Sequence, residues 1–272
     1  MKFVFIGLGR MGILQARLAR FLKHDTLAAI DVAPQARSFF AENFDAPVFD
    51  ELEKAKEALL SADLVWLTVT DAQIESVASR LGGLLSANAV AVHTSGALSS
   101  RVLTKYLSCH TGSVHPLMAC PLPTTPDAAC AEAYRGIFHV VEGDHETQSL
   151  ARQYISSFGG RVATIDVDKK ALYHAAAVFA SNYPVTLVDT AQRLFAECGF
   201  SSDDARDATC RLLESALMLL RERDPVSALT GPVKRHDACT IDKHLDALVH
   251  YPEALTLYQA LLESTKNLVG WK

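Results

Sequence analysis

No two of the six cysteines in this 272-residue chain stand in a C-x-x-C pair, which removes the zinc ribbon and the redox dithiol from consideration. They lie at 109, 120, 130, 198, 210 and 239. A chain of this size builds a core without covalent staples, so reduced and mostly buried thiols are expected. No stretch reaches the ~18 consecutive apolar residues of a membrane span. The apolar start, Met1 to Gly7, is short, breaks into glycines and Arg10, and has no small-residue cleavage site after it. It reads as a strand and not as a signal peptide, and a cytoplasmic protein is expected. No stripe of Lys and Arg tracks a phosphate backbone, and the net charge is −5. Nucleic acid and anionic membranes are therefore not expected as partners. Internal repeats and low-complexity segments are missing too. The histidines at 93, 115, 174 and 236 show neither H-x-x-x-H nor H-E-x-x-H spacing and come from separate segments, so no metal is expected.

What is present is the composition of an ordinary globular protein, 49% hydrophobic and 21% charged. Short apolar runs at Phe3–Ile6, Leu27–Ile30, Leu64–Val69 and Val90–His93 alternate with stretches such as Met11–Leu22 and Glu51–Leu60, whose apolar positions recur at helical spacing. Strands separated by helices of that length imply βαβ units and a mostly parallel, doubly wound sheet. Further strands are predicted at Gly112–Val114, Ile137–Val141 and Val162–Ile165, with a helix over Glu146–Phe158 closed by Gly159 and Gly160. After Asp166 the alternation stops. Asp168 is the predicted N-cap of a long helix over Lys169–Cys198, which Pro184 should kink without ending. A helix follows to Arg223, then a loop from Asp224 to Pro232, then helices near Ala238–Val249 and Pro252–Val269. The expected organisation is an α/β domain over 1–165 and an all-helical domain over 166–272.

Gly7-Leu8-Gly9-Arg10-Met11-Gly12 is a G-x-G-x-x-G motif that follows a strand and opens a helix. That context marks a Rossmann dinucleotide site. The first glycine makes the tight turn, the second lets the backbone approach a pyrophosphate, and the third lets helix and strand pack. Arg10 and Met11 stand in the first helical turn, whose N–H groups face the anion. Asp31, at the end of the second strand, is placed to accept from the ribose hydroxyls and to repel a 2′-phosphate. This slightly favours NAD over NADP, although Arg10 and Arg37 are near enough in sequence to serve a phosphate. Thr68–Asp71 and His93–Gly96 end later strands at the same edge. There Thr70 and Ser95 are candidates for lining the nicotinamide ribose, with Asp71 serving either that role or as a helix N-cap.

A resemblance joins these pieces. The glycine motif is followed by T-V-T-D at 68–71, H-T-S-G-A-L-S at 93–99 and G-S-V-H-P-L at 112–117. K-A-L-Y-H-A-A-A-V-F-A-S-N-Y at 170–183 and A-L-T-G-P-V-K-R-H-D at 228–237 complete the series. The chain resembles the Rossmann-like proteins with a C-terminal domain of unknown function, DUF2520. Through them it resembles the wider group of 6-phosphogluconate dehydrogenase, 3-hydroxyacid dehydrogenases, ketopantoate reductase and pyrroline-5-carboxylate reductase. The resemblance implies a helical second domain that forms a homodimer, an active site between the domains, and a catalytic lysine early in the first long helix. Lys170 stands at that lysine position, and His174 stands where an asparagine would follow one turn later. Asp31 departs from the NADP-compatible residue of many members, and His236 stands where glycine commonly falls.

Hydride transfer to a carbonyl or imine needs a nearby proton donor. Lys170 and His174 lie one turn apart on one helix face and can form a proton-transfer pair, or else serve as a solvated first-turn residue and a core histidine. Asn182, just before Pro184, is read as a buried residue that binds substrate or stabilises the kink. His115, with Pro116, closes the strand 112–114 and is either a substrate ligand or a turn residue. Arg235 in the Gly-Pro loop offers a bidentate clamp for an anionic substrate, and Asp237 is the expected cap of the next helix. The expected function is an NAD(P)-dependent oxidoreductase acting on a small carboxylated carbonyl, hydroxy or imine compound. The alternatives are a dinucleotide-binding regulatory or scaffold protein without turnover, and a prephenate-type dehydrogenase, since a comparable H-P occurs in that family.

Overall fold

Alternate residues of the central strands pack on opposite faces of one sheet, and this two-sided burial dictates the architecture. Phe3, Phe5 and Trp66 join one apolar cluster while Val4, Ile6, Val65 and Leu67 join another. Strands apolar on both faces need helices on both faces. The computed structural model describes residues 1–120, 122 and 124–271. They form two compact units, Met1–Val178 and Phe179–Lys272.

The first unit runs β1 (Lys2–Ile6), α1 (Arg10–Phe21), β2 (Asp25–Ile30), α2 (Pro34–Asn43), β3 (Val48–Phe49), α3 (Lys56–Ser61), β4 (Leu64–Leu67) and α4 (Asp71–Leu81). It continues through β5 (Val90–His93), α5 (Arg101–Thr104), β6 (His110–Pro116), α6 (Asp127–Tyr134), β7 (Phe138–Gly143), α7 (His145–Ser157) and β8 (Arg161–Thr164). The strand order is β3-β2-β1-β4-β5-β6-β7-β8. Pairing is parallel except between β6 and β7. The first six strands have the Rossmann order, with the chain reversing direction across the sheet beside β1.

The remaining helices are α8 (Lys170–Glu197), α9 (Ser202–Glu222), α10 (Pro225–Ala228), α11 (Ala238–Leu248) and α12 (Pro252–Leu268). Among the described residues no strand follows Thr164, and no helix is long and apolar enough to cross a membrane. Helix α8 begins in the first unit and runs on through Pro184 in the second. Beyond residue 178 only Ala205, Thr209, Ala228, Val233 and Ile241 are buried among the described residues.

Several local expectations need correction. Strand β6 extends through Pro116, because antiparallel β7 pairs His115 with Val140 and Pro116 with His139, so His115 sits inside a strand and not in a turn. Asp168 is not the cap before α8. Asp166 accepts from the Asp168 N–H and starts a 3-10 turn over Val167–Lys169, while Asp168 pairs with Arg101 at 2.6 Å. The N-cap of α4 is Thr70 and not Asp71. β3 has two residues, too few for a periodic signal, and α10 is a single capped turn inside the predicted loop. Of the cysteines only Cys130 is buried. Cys198, Cys210 and Cys239 are exposed because they lie in the helical unit, which buries few side chains within one copy of the chain.

Helix α6 is fastened to α1 by charge. Asp127 accepts from Arg17 at 2.9 Å and from Arg20 at 2.6 Å, and the Arg17 side chain is 7% exposed. Charge-assisted bonds of this kind contribute more than neutral ones, and a nearly buried guanidinium is costly to strand. Asp127→Ala is expected to lower stability by about 2 kcal/mol, measured by urea unfolding.

Candidate active site

The carboxyl ends of β1, β4 and β5 meet at one edge of the sheet, and the candidate residues of the first unit gather there. Gly7 ends β1 at φ +95°, and a Cβ on it would stand 2.8 Å from the backbone of Thr68 and Val69. Only glycine meets both conditions. A Cβ on Gly12 would run into the Gly7 carbonyl, so helix and strand could not close on each other. Gly9 is the opposite case, with nothing within 4 Å of its Cβ position. It leaves the N-terminus of α1, at Arg10 and Met11, uncovered by any side-chain cap. Gly7, Gly9, Asp31, Thr68 and Thr70 line one open groove. The cradle fits a pyrophosphate, which needs exposed N–H groups and no side chain in its path.

Asp31 has a second duty that its position in the sequence does not reveal. Its carboxylate accepts from the Leu8 N–H at 2.6 Å and the Ala33 N–H at 2.7 Å, tying the glycine turn to the end of β2. Each oxygen keeps lone pairs for a further donor. Arg37 is held by the carbonyls of Asp31 and Val32, each at 2.8 Å, while Arg10 is exposed. The Thr70 hydroxyl faces Gln73 Oε1 at 3.1 Å at the start of α4.

A second cluster forms where α8 begins. Lys170, Tyr173 and His174 share one helix face by their i, i+3, i+4 spacing. Lys170 is 2% exposed, and its Nζ donates to Ser113 Oγ at 2.5 Å. Ser113 donates in turn to the Ser95 carbonyl at 3.2 Å, and Ser95 Oγ donates to Asp71 at 2.7 Å. Glu142 is the cross-strand partner of Ser113, is 1% exposed, and accepts from the N–H and hydroxyl of Ser100 at 2.6 and 2.7 Å. Burial pushes Lys170 down to about 8, opposed by the charges of Glu142 and Asp71. His115 Nδ1 lies 2.6 Å from the Tyr173 hydroxyl, and the rings of His115 and His174 meet edge to face at 5.9 Å. A Cβ on Gly96 would overlap His174 Nδ1, so glycine is what lets α8 settle on this loop. His174 Nδ1 is buried and has no hydrogen-bond partner among the described residues. Burial first, and the Lys170 charge second, push His93 and His115 down to about 4, so both imidazoles are neutral at physiological pH.

Lys170, His174, His115 and Ser95 are thus brought together in the first unit, while Asn182 and Arg235 belong to the second. Asn182 is exposed and not buried as expected, because α8 presents that stretch to solvent within one copy of the chain, and its Oδ1 accepts from Ser181 at 2.8 Å. Arg235 is exposed beside His236, which adopts φ +57°, the left-handed conformation that glycine would take easily. The His236 ring packs at a tilt against Trp271, with centroids 4.9 Å apart. Asp237 caps α11 through the Thr240 N–H, as expected. Sequence reasoning placed His93–Gly96 at this edge but missed Ser113, Tyr173 and Glu142. Ser113 had a signal, since strand alternation puts it on the face of His115, and so had Tyr173, three residues after Lys170.

Residues 137–265 match the family described as a domain of unknown function, DUF2520. The match takes in β7, α7 and β8 of the sheet as well as most of the helical region. No curated protein matches the sequence. Among solved structures the chain is similar to a proposed NADP oxidoreductase from Bacteroides fragilis, with TM-score 0.77, 20% identity and 98% of each chain covered. A Thermotoga maritima protein gives TM-score 0.75 at 23% identity, again over 98% of each chain. A 1-pyrroline-5-carboxylate reductase from Streptococcus pyogenes gives 0.65 at 16%, over 98% of each. At such identities the likeness shows the fold.

Keeping Lys170 in this place costs stability, and the sign follows from its displaced titration. Unfolded, the amine holds its proton to about pH 10.5, and folded only to about 8. The cost is therefore full below pH 8 and fades as pH climbs from 8 to 10.5. Lys170→Met is expected to be more stable than the parent at pH 7 by about 3 kcal/mol. Denaturant unfolding at pH 7 and at pH 10 checks both this gain and its shrinkage at the higher pH.

Proposed function

We propose that the protein is an NAD(P)-dependent oxidoreductase that moves a hydride to or from a small carboxylated carbonyl, hydroxy or imine compound. The observation that carries this reading is the Lys170 ammonium, buried against Ser113 and lowered to about 8, on the sheet edge that also bears the glycine turn. A perturbed lysine in the same fold edge as a dinucleotide cradle is the pairing that hydride chemistry requires.

When bound, the dinucleotide supplies or accepts the hydride. Gly7, Gly9 and Gly12 admit the pyrophosphate, with the N–H groups of Arg10 and Met11 facing it. Asp31 accepts from the ribose hydroxyls and disfavours a 2′-phosphate, so NAD is preferred over NADP. Thr70 and Ser95 lie beside the nicotinamide ribose. Lys170 gives a proton to the substrate atom that becomes electron-rich in reduction and takes it back in oxidation; a titration near the working pH suits both directions. Ser113 holds the ammonium in place by accepting a hydrogen bond from it. His174 and His115 contact the substrate. The helical unit pairs with a second copy of the chain. Phe179, Val185, Leu212 and Met218 are each more than 60% exposed, which is large for apolar side chains in a single chain.

Calorimetric titration with NADH and NADPH tests the cofactor reading. NADH is expected to bind at least about tenfold tighter, a difference of about 1.4 kcal/mol. Binding of neither would overturn the proposal. In a substrate screen with the bound cofactor, Lys170→Met is expected to lower kcat by about 10²-fold or more while leaving NADH affinity unchanged. A protein that only binds dinucleotide would show no turnover to lose.

A further inference from the structure

Tyr173 follows Lys170 by three residues on α8, and its hydroxyl lies 2.6 Å from His115 Nδ1. Two proton arrangements satisfy such a contact. Either the phenol donates to a bare Nδ1, or an Nδ1–H donates to the phenol oxygen. In the second, the phenol's own proton needs another acceptor, and among the described residues the Tyr173 hydroxyl has none. Burial also holds that proton firmly, raising Tyr173 to about 12. The imidazole is neutral, because burial, then Lys170 and His174, disfavour its charge more than Asp71 favours it. A neutral ring with a bare Nδ1 carries its one proton on Nε2. Among the described residues Nε2 has no hydrogen-bond partner, and it is not sealed from solvent.

We propose that Tyr173 is a positioning residue that locks His115 as the Nε2–H tautomer, so that His115 offers a neutral N–H donor to the substrate atom that Lys170 protonates. The proposal rests on the oxidoreductase reading above and narrows its substrate. An N–H donor needs a lone pair opposite it. A carbonyl oxygen has one throughout reduction, whereas the nitrogen of a protonated cyclic imine has none. The fitting substrate class is therefore an oxo or hydroxy acid and not a cyclic imino acid. As hydride reaches the carbonyl carbon, the π pair moves to oxygen, which takes a proton from the Lys170 ammonium. His115 keeps its own proton and stabilises the developing charge, as donors aimed at a growing oxyanion do.

The test is long-range proton–nitrogen correlation NMR on the full chain with ring-labelled histidine at pH 7, the His115 signals being assigned by their loss in His115→Gln. The expected result is a bare Nδ1 and a protonated Nε2 in the parent, with the single-tautomer signature lost in Tyr173→Phe. An Nδ1–H or charged ring in the parent, or an unchanged tautomer in Tyr173→Phe, overturns the proposal. The parent spectrum decides even if the variant fails to fold. In parallel, oxo acids and cyclic imino acids are offered with NADH. Turnover of the oxo acids supports the donor role, and turnover of the imino acids alone overturns it. Turnover of neither overturns the oxidoreductase reading and the donor role with it, while the NMR result still decides the Tyr173–His115 pairing.

Discussion

The Lys170 ammonium, 2% exposed and 2.5 Å from Ser113 Oγ, sets the terms for everything around it. A charge so placed has lost most of its water, and the lowering of its pKa to about 8 measures how incompletely the protein replaces it. The partial replacement comes from several elements at once. Ser113 on β6 accepts a hydrogen bond from the ammonium directly, Glu142 on β7 stands opposite Ser113 with its carboxylate fixed by Ser100, and Asp71 holds Ser95, whose carbonyl orients the Ser113 hydroxyl. The start of α8 must then sit closely on the 93–98 loop, which is possible because Gly96 has no side chain to meet His174. A fold that only needed stability would place methionine at 170, so retention of the amine is an argument for chemistry.

The cofactor edge obeys a different constraint, that of close backbone approach. Gly7 is forced by its φ and by the Thr68 backbone, Gly12 by the Gly7 carbonyl, and Gly9 by the need for empty space. Asp31 joins the two ends of the turn by accepting from Leu8 and Ala33. The same carboxylate therefore shapes the cradle, so a substitution there changes the geometry of the glycine turn. The neutral state of His93 and His115 follows from the lysine cluster, since the Lys170 charge adds to burial in disfavouring a second cation nearby.

The strands and long helices were legible because apolar spacing is a local signal that burial on two faces enforces. The glycine turn was legible because its spacing is tied to a strand before it and a helix after it. What escaped were features set by neighbours distant in the chain. The length of β6 depends on its antiparallel partner β7, so sequence alone ended that strand at Val114, before His115. Glu142 is functional-looking only once the register places it against Ser113, 29 positions earlier. Asp166 and Asp168 are equivalent as caps on paper, and the ion pair between Asp168 and Arg101 separates them. His236 looked anomalous for a position that usually holds glycine, and its φ of +57°, with the ring tilted against Trp271, shows why glycine suits that backbone.

The most direct measurement is an NMR titration of the full chain carrying lysine labelled with carbon-13 at Cε, followed from pH 6 to 11, with the Lys170 signal assigned by its loss in Lys170→Met. A signal for Lys170 that titrates near 8, apart from the other lysines, is the predicted result. A Lys170 that titrates at the ordinary lysine value of 10.5 would contradict the claim that this amine is a desolvated acid-base group.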